Sequence, residues 1–115
     1  EGWRYMSVEG QYQAARWFQD TDGRWYHFDQ SGIMQTGWQR VNGRWYYFNS
    51  VGAMQTGWLL KEGKYYFLNA DGSMASGWVN SQGIWYYFDQ ETGVMQTNVY
   101  VDDGRYVNAE GALVQ

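Results

Sequence analysis

Tryptophan and tyrosine residues recur along this chain about every 20 residues, and each recurrence brings several rings together in sequence. The chain of 115 residues contains 8 Trp and 11 Tyr, and aromatic residues make up 21% of it. The face of an aromatic ring attracts cations, and a quaternary ammonium suits it best because that cation has no N–H group to donate. The chemistry that these residues could do is therefore binding by ring faces.

The remaining composition excludes several other classes of protein. His27 is the only histidine and there is no cysteine, so no Ser/His/Asp or Cys/His catalytic set is available. The carboxylates lie on repeating turns, which favours neither a glycosidase pair nor a metal site. A net charge of -4 argues against nucleic acid, and no apolar run is long enough to span a bilayer. We predict no enzyme, no cofactor, no metal site and no membrane insertion.

The elements that carry the rings are predicted to be β-hairpins. Asn42-Gly43 is a strong signal for a two-residue type I′ turn. A turn there places Arg40 opposite Trp45, and the alternation of side chains along a strand then puts Trp38 and Trp45 on one face. Tyr46 points to the other face, toward the preceding hairpin. Each hairpin is aromatic on both faces, so it must be covered on both sides.

Stacking of the hairpins meets that requirement, and the predicted fold is an all-β solenoid of stacked two-stranded β-hairpins. In the first full repeat a three-residue loop, Thr21-Asp22-Gly23, accommodates one extra residue with Gly23 in the left-handed region. The predicted repeats are a degenerate or truncated one at 1–16, four full ones at 17–36, 37–56, 57–76 and 77–97, and a degenerate C-terminal cap at 98–115.

Stacking also places two rings of one hairpin opposite a Tyr of the next. Beside them lies a Met from the connector, the segment that joins one hairpin to the next. The first ring set is Trp17, Trp25 and Tyr46, with Met34; the second is Trp38, Trp45 and Tyr66, with Met54; the third is Trp58, Tyr65 and Tyr86, with Met74. Three ring faces without an obligatory carboxylate fit a quaternary ammonium, whereas a primary amine would need a hydrogen-bond acceptor. The Met residues rank as secondary contacts, because thioethers commonly fill gaps.

A fourth ring set contains Trp78 and Trp85, with Met95, and it lacks a third ring. Val107 stands where a Tyr would complete it. We expect this secondary site to be weak or closed.

These residues resemble the choline-binding repeat family of bacterial surface proteins. The sequence segments that carry the resemblance are Gly37-Trp38, Gly43-Arg44-Trp45-Tyr46-Tyr47-Phe48 and residues 52–58. The match extends from about Trp17 to Asn108. The resemblance implies a superhelical solenoid whose three complete ring sets hold choline groups of cell-wall teichoic acids. It also implies a secreted module at the bacterial cell wall that anchors a linked enzyme or adhesin. Tyr65 departs from the family pattern, since a Trp is expected there, and this should loosen the third site.

Two alternatives stay open. The repeats are also similar to the glucan-binding repeats of streptococcal glucosyltransferases and to the C-terminal repeats of large clostridial toxins, which implies a carbohydrate-binding domain. The fourth ring set is incomplete and the last hairpin is degenerate. Both features are consistent with a structural or dimerisation stalk whose sites are vestigial, so a homodimer is also left open. A second Trp in most repeats favours choline over sugar.

Overall fold

The computed structural model describes residues 16–102 and 104–115, and these form strands, turns and no helix. The strands are β1 (Arg16–Gln19), β2 (Trp25–Phe28), β3 (Gly37–Val41), β4 (Arg44–Phe48), β5 (Gly57–Lys61), β6 (Lys64–Leu68), β7 (Gly77–Ser81), β8 (Ile84–Phe88), β9 (Val99–Val101), β10 (Arg105–Val107) and β11 (Leu113–Val114). The chain divides into two compact units, the first ending at Gln55 and the second beginning at Thr56. Apart from Arg16, the predicted N-terminal repeat at 1–16 lies outside the described residues.

The central hairpins have the predicted register. Arg40 lies opposite Trp45 in the β3–β4 pair, and the turn between the strands has φ of 53° at Asn42 and 82° at Gly43. Positive φ at both central residues is what a type I′ turn requires. Glu62-Gly63 and Gln82-Gly83 make the same turn in the β5–β6 and β7–β8 hairpins. The prediction from the turn residues is therefore confirmed, including the face on which each ring lies.

The first hairpin accommodates its extra residue as predicted. Trp17 lies opposite His27, and the Asp20 N–H donates to the Arg24 carbonyl at 2.9 Å, which closes a three-residue loop. Gly23 in that loop has φ of 87°, a conformation that disfavours residues with a Cβ. The Asp20 carboxylate also pairs with the Arg24 guanidinium, with Nε and Oδ2 3.2 Å apart.

Each connector begins with a turn around an Asp or Asn that follows the second strand of a hairpin. Asn49 Oδ1 accepts hydrogen bonds from the backbone N–H groups of Val51 at 3.0 Å and Ala53 at 2.9 Å. Asp29 and Asn108 accept the corresponding two bonds in their own connectors. These are Asx turns, and they return the chain toward the hairpin that it has just left.

In each unit a backbone hydrogen bond attaches a connector to an earlier hairpin, one repeat before the hairpin that the connector directly follows. The Met54 N–H donates to the Trp25 carbonyl at 2.7 Å in the first unit, and the Met95 N–H donates to the Tyr65 carbonyl at 2.8 Å in the second. Both acceptors belong to ring sets. The stacking of successive hairpins within a unit is therefore fixed at the residues that present the rings.

The C-terminal segment contains a strand that the sequence pattern did not reveal. Strand β11 pairs with β10, so that β9, β10 and β11 form a three-stranded sheet. An isolated bridge between Ala112 and Tyr86 connects this segment to the hairpin before it. Val101, Val107 and Tyr87 form a buried cluster beneath the sheet, and Val107 has no exposed surface.

Candidate functional site

The first ring set is assembled within the first unit. The ring centroids of Trp17 and Trp25 are 6.4 Å apart with an interplanar angle of 83°, and those of Trp17 and Tyr46 are 4.9 Å apart at 69°. Trp17 and Trp25 come from one hairpin, whereas Tyr46 comes from the next. The structure therefore brings together the three rings that the sequence predicted, with the other two planes steeply inclined to the plane of Trp17.

The third ring set repeats this arrangement in the second unit. Trp58 and Tyr65 have centroids 6.0 Å apart and planes at 88°, while Trp58 and Tyr86 have centroids 4.9 Å apart and planes at 84°. The Trp58 indole N–H donates to Ser81 Oγ at 3.2 Å. That bond satisfies the polar edge of the indole and leaves its faces for ring contacts.

In the first and third sets, buried side chains support the central Trp, which is the ring that contacts the other two. Trp58 packs against Phe67 and Phe88, with centroid distances of 5.4 and 5.7 Å. Trp17 packs against Phe48 at 5.7 Å and against His27 at 4.9 Å. Phe48 and Phe88 are fully buried, so each central indole rests on a fixed surface.

The only histidine is a buried packing residue with a defined hydrogen bond. His27 Nδ1 lies 2.6 Å from Gln35 Oε1, while the Gln35 amide nitrogen donates to Gln39 Oε1 at 2.9 Å. Because Gln35 uses its oxygen as an acceptor, Nδ1 of His27 is the donor. This network holds the imidazole against Trp17. His27 also lies directly opposite Trp17 in the β1–β2 pair.

The outer rings of both sets are accessible from solvent. Trp25 is 37% exposed and Tyr65 is 43% exposed. An exposed large ring on a folded protein leaves apolar area in water that a ligand could cover.

Among residues 16–102 and 104–115 there is no group of three or more His, Cys, Asp or Glu side chains that could hold a metal ion. Nor does that part of the chain contain a helix able to cross a membrane.

The second ring set is divided between the two compact units. Trp38 and Trp45 lie on one face of the β3–β4 hairpin in the first unit, and Trp38 packs on Tyr47 with centroids 5.2 Å apart. Tyr66 lies on β6 in the second unit. The grouping of these three residues stays a prediction from the sequence.

The connector Met residues pack against the glycine of the following connector. Gly52 has φ of 88°, and a Cβ built there would overlap the Met34 thioether. Gly93 has the same relationship to Met74, and Gly111 has it to Met95. These contacts make the Met side chains part of the stacking within each unit. A secondary ligand contact by Met34, Met54 or Met74 stays a prediction.

The fourth ring set lines a cavity of about 560 Å³ in the second unit. Its lining includes Trp78 and Trp85, as predicted, together with Arg105 and the residues Leu113, Val114 and Gln115. The Arg105 guanidinium carbon lies 5.9 Å from the Trp78 ring centroid. The expectation that this site is weak or closed toward choline stays a prediction. Sequence reasoning missed Arg105 and β11, although the position of Arg105, directly after a turn glycine, matches that of Arg44.

Comparison with protein families gives two matches. A model described as a choline-binding repeat matches residues 35–76 and 61–100, and one described as a putative cell wall binding repeat matches residues 16–34. A comparison with curated protein sequences gave no match.

Several solved structures are similar to this chain. Choline binding protein F from Streptococcus pneumoniae is 36% identical with a TM-score of 0.86, and the match covers 98% of this chain and 38% of that protein. The choline binding domain of a second Streptococcus pneumoniae protein is 40% identical with a TM-score of 0.64, covering 70% of this chain and 96% of the domain. A pneumococcal cell wall endolysin from phage Cp-1, solved in complex with choline, is 34% identical with a TM-score of 0.65, covering 98% of this chain and 34% of the endolysin.

These comparisons confirm the resemblance seen in the sequence and the predicted fold class, an all-β stack of two-stranded hairpins. This chain spans only 38% of choline binding protein F and 34% of the endolysin. The likeness therefore concerns a repeat module within those longer proteins.

Proposed function

This chain belongs to the choline-binding repeat family, whose repeats are non-catalytic binding modules, and we propose that its first and third ring sets each bind a choline group. The observation that carries the proposal is the third ring set, where the planes of Tyr65 and Tyr86 stand at 88° and 84° to that of Trp58. A trimethylammonium group seated among these rings would meet several faces at once. Each desolvated contact of this kind contributes roughly 2 kcal/mol.

The same arrangement in the first ring set supports a second site of the same kind. The Trp17–Tyr46 and Trp58–Tyr86 centroid distances are both 4.9 Å, although the two pairs lie in different units. The second ring set is carried forward as a sequence prediction. Trp45→Ala and Tyr66→Ala test it, since both substitutions should abolish the same choline site.

The natural ligand in this proposal is the choline of teichoic acid in a bacterial cell wall, and the module anchors a linked enzyme or adhesin to that wall. Several weak sites on one polymer raise the overall affinity, because each bound choline raises the effective concentration of the next. The likeness to choline binding protein F and to a cell wall endolysin supports a secreted module at the cell surface.

A second candidate function is binding of a glycan beside the first ring set. A polar cavity of about 330 Å³ adjoins Trp17, and its lining includes Asp29, Gln30, Gln35 and Arg40. Sugars stack on aromatic rings but also need polar partners next to them, and this cavity offers both. Choline binding protein F was itself crystallised in the presence of a peptidoglycan analogue.

Affinity chromatography distinguishes these functions. The chain is loaded on a resin that carries tertiary amines in 1 M NaCl, because its net charge of -4 would otherwise give simple ion exchange. Retention at that salt and elution by added choline chloride, but not by the same amount of NaCl, are the expected results. Retention on dextran instead would favour the glycan, and passage through both resins would contradict both functions.

A further inference from the structure

The residue opposite the central Trp distinguishes the first ring set from the third. His27 lies opposite Trp17 in the β1–β2 pair, whereas Phe67 lies opposite Trp58 in the β5–β6 pair. The two rings hold similar places, with centroids 4.9 Å from that of Trp17 and 5.4 Å from that of Trp58. The position beside the central Trp can therefore carry a positive charge in the first set and not in the third.

A chain of hydrogen bonds fixes which nitrogen of His27 carries the hydrogen. The Gln39 amide nitrogen donates to the Thr36 carbonyl at 2.8 Å, and a carbonyl can only accept. Gln39 Oε1 therefore accepts from the Gln35 amide nitrogen, and Gln35 Oε1 is left to face His27 Nδ1. Neutral His27 thus has its hydrogen on Nδ1, and a second proton adds to Nε2 without breaking any of these bonds.

The surroundings of His27 give a proton access to it. His27 is buried, but it lines the polar cavity of about 330 Å³ beside Trp17. The charged groups on this cavity are Arg16 of β1, Asp29 of the connector and Arg40 of β3. Arginine stays charged and carboxyl groups are ordinarily ionised between pH 5 and 8, the range in which the charge of a histidine ordinarily changes.

A proton on His27 would place a cation beside the ring that we assign to choline. Two like charges close together in a partly desolvated site disfavour each other. A quaternary ammonium on Trp17 would therefore bind less tightly next to an imidazolium than next to a neutral imidazole. In the third set Phe67 stays neutral at every pH, so the Trp58 ring is not affected in this way.

We propose that His27 is a pH switch for the first ring set, which binds choline tightly while His27 is neutral and more weakly once His27 is protonated. This inference rests on the proposed choline binding and deepens it by adding a regulation that the third set lacks. The affinity of the first set is complete above the pH range in which His27 titrates, and it falls as pH decreases through that range.

The experiment compares the two sets within the same molecule. Choline is titrated at pH 8 and at pH 5, the two ends of the histidine range, while the indole N–H signals of Trp17 and Trp58 are followed by ¹⁵N–¹H NMR. Choline chloride replaces NaCl at constant ionic strength, so that screening does not change. The Trp17 signal should need about three- to tenfold more choline at pH 5, as Coulomb's law gives for like charges several ångström apart in a partly solvated site. The Trp58 signal should need the same amount at both pH values.

His27→Phe and Arg40→Gln form a pair of variants on the same cavity. His27→Phe introduces the residue that the third hairpin holds at this place, and it should remove the pH dependence of the Trp17 signal. Arg40→Gln removes an exposed cation that does not titrate in this range, and it should keep the pH dependence.

A measurement on the unmodified chain tests the same coupling from the other side. His27 is the only histidine, so its Cε1–H signal is unique in the ¹H spectrum. Because coupling between two binding events is reciprocal, saturating choline should move the midpoint of this signal's pH titration to lower pH. This test needs no substitution and does not depend on the stability of a variant.

Three results would overturn the proposal: the same pH dependence at Trp17 and Trp58, a Trp17 dependence that survives His27→Phe, or a His27 titration that choline leaves unchanged. The Trp58 signal separates this failure from that of the proposed function. If both indoles respond to choline without any difference in pH dependence, only the switch is wrong. If neither responds at pH 8, the choline-binding function itself is wrong.

Discussion

Trp58 and Tyr86 meet edge to face, with ring centroids 4.9 Å apart and planes at 84°, although they belong to different hairpins. Trp17 and Tyr46 have the same relationship in the other unit. The first and third ring sets are thus completed by the following repeat. One hairpin by itself supplies two of the three rings, and stacking supplies the third.

Removal of either partner from the third ring set should therefore abolish the same site. Tyr65→Ala and Tyr86→Ala should each lower the number of bound choline molecules by one, because each loses a ring contact of roughly 2 kcal/mol, or about 30-fold in affinity. Isothermal titration calorimetry measures this number. Tyr100→Ala is the control, since Tyr100 is 72% exposed and lies outside the ring sets. A double variant of Tyr65 and Tyr86 that lost two ligands would contradict the assignment.

The size of the second ring should set the affinity of a site. Tyr65→Trp enlarges the smaller ring of the third set and should tighten choline there, whereas Trp25→Tyr makes the reverse change in the first set and should weaken it. We expect changes of about threefold in opposite directions, since Trp is the better cation–π partner. Indole NMR shifts of Trp58 and Trp17 report the two sites separately. Changes of the same sign in both variants would count against this explanation.

Two glycines with similar backbone angles should differ in their tolerance of alanine. Gly43 and Gly52 have φ of 82° and 88°, but a Cβ at Gly52 would overlap the Met34 side chain, while nothing lies within 4 Å of one at Gly43. Gly43→Ala should lower the free energy of unfolding by about 1 kcal/mol through the backbone alone. Gly52→Ala should lose a further ~1–3 kcal/mol from overpacking.

Chemical denaturation measures both losses. Met34→Ala combined with Gly52→Ala should recover part of the additional loss, because the shorter side chain removes the overlap. Equal losses for the two single variants would show that the Met–Gly contact contributes nothing to the stacking.

The connector after β8 should make stability depend on pH. Backbone N–H groups of Thr92 and Glu91 donate to Asp89 Oδ1, both at 2.8 Å, and hold the pKa of this carboxyl below its ordinary value. A lowered pKa in the folded state means that the stabilisation is complete above the pKa of the unfolded chain. It is lost as pH falls through the pKa of the folded state.

Asp89→Asn keeps the acceptor oxygen, as Asn49 does in its own connector. We expect little change in the urea midpoint at pH 7 and a smaller loss of stability on acidification than in the unmodified chain. Urea denaturation at pH 7 and pH 3 measures both quantities. An equal shift of the midpoint at the two pH values would contradict a role for the Asp89 carboxyl charge.

Much of each hairpin could be predicted from the sequence, because its determinants are local. Asn42-Gly43 selects the turn, the turn fixes the register, and the alternation of side chains then assigns Trp38 and Trp45 to one face. The repeat period implied that hairpins stack, and it identified which Tyr of the next hairpin would meet Trp17 or Trp58. These inferences need only neighbours in sequence and a regular repeat.

What the tertiary structure alone decided lies where the repeat becomes irregular. Strand β11 pairs with β10, and the Arg105 side chain reaches the Trp78 ring. Both contacts join segments that do not occupy equivalent positions in the repeat. The sequence showed that Val107 replaces a ring, but which group would take the vacated ring face depended on side-chain length and on the burial of Val107. Local turn chemistry therefore determined the hairpins and their ring faces, whereas packing across non-equivalent segments decided the composition of the fourth site.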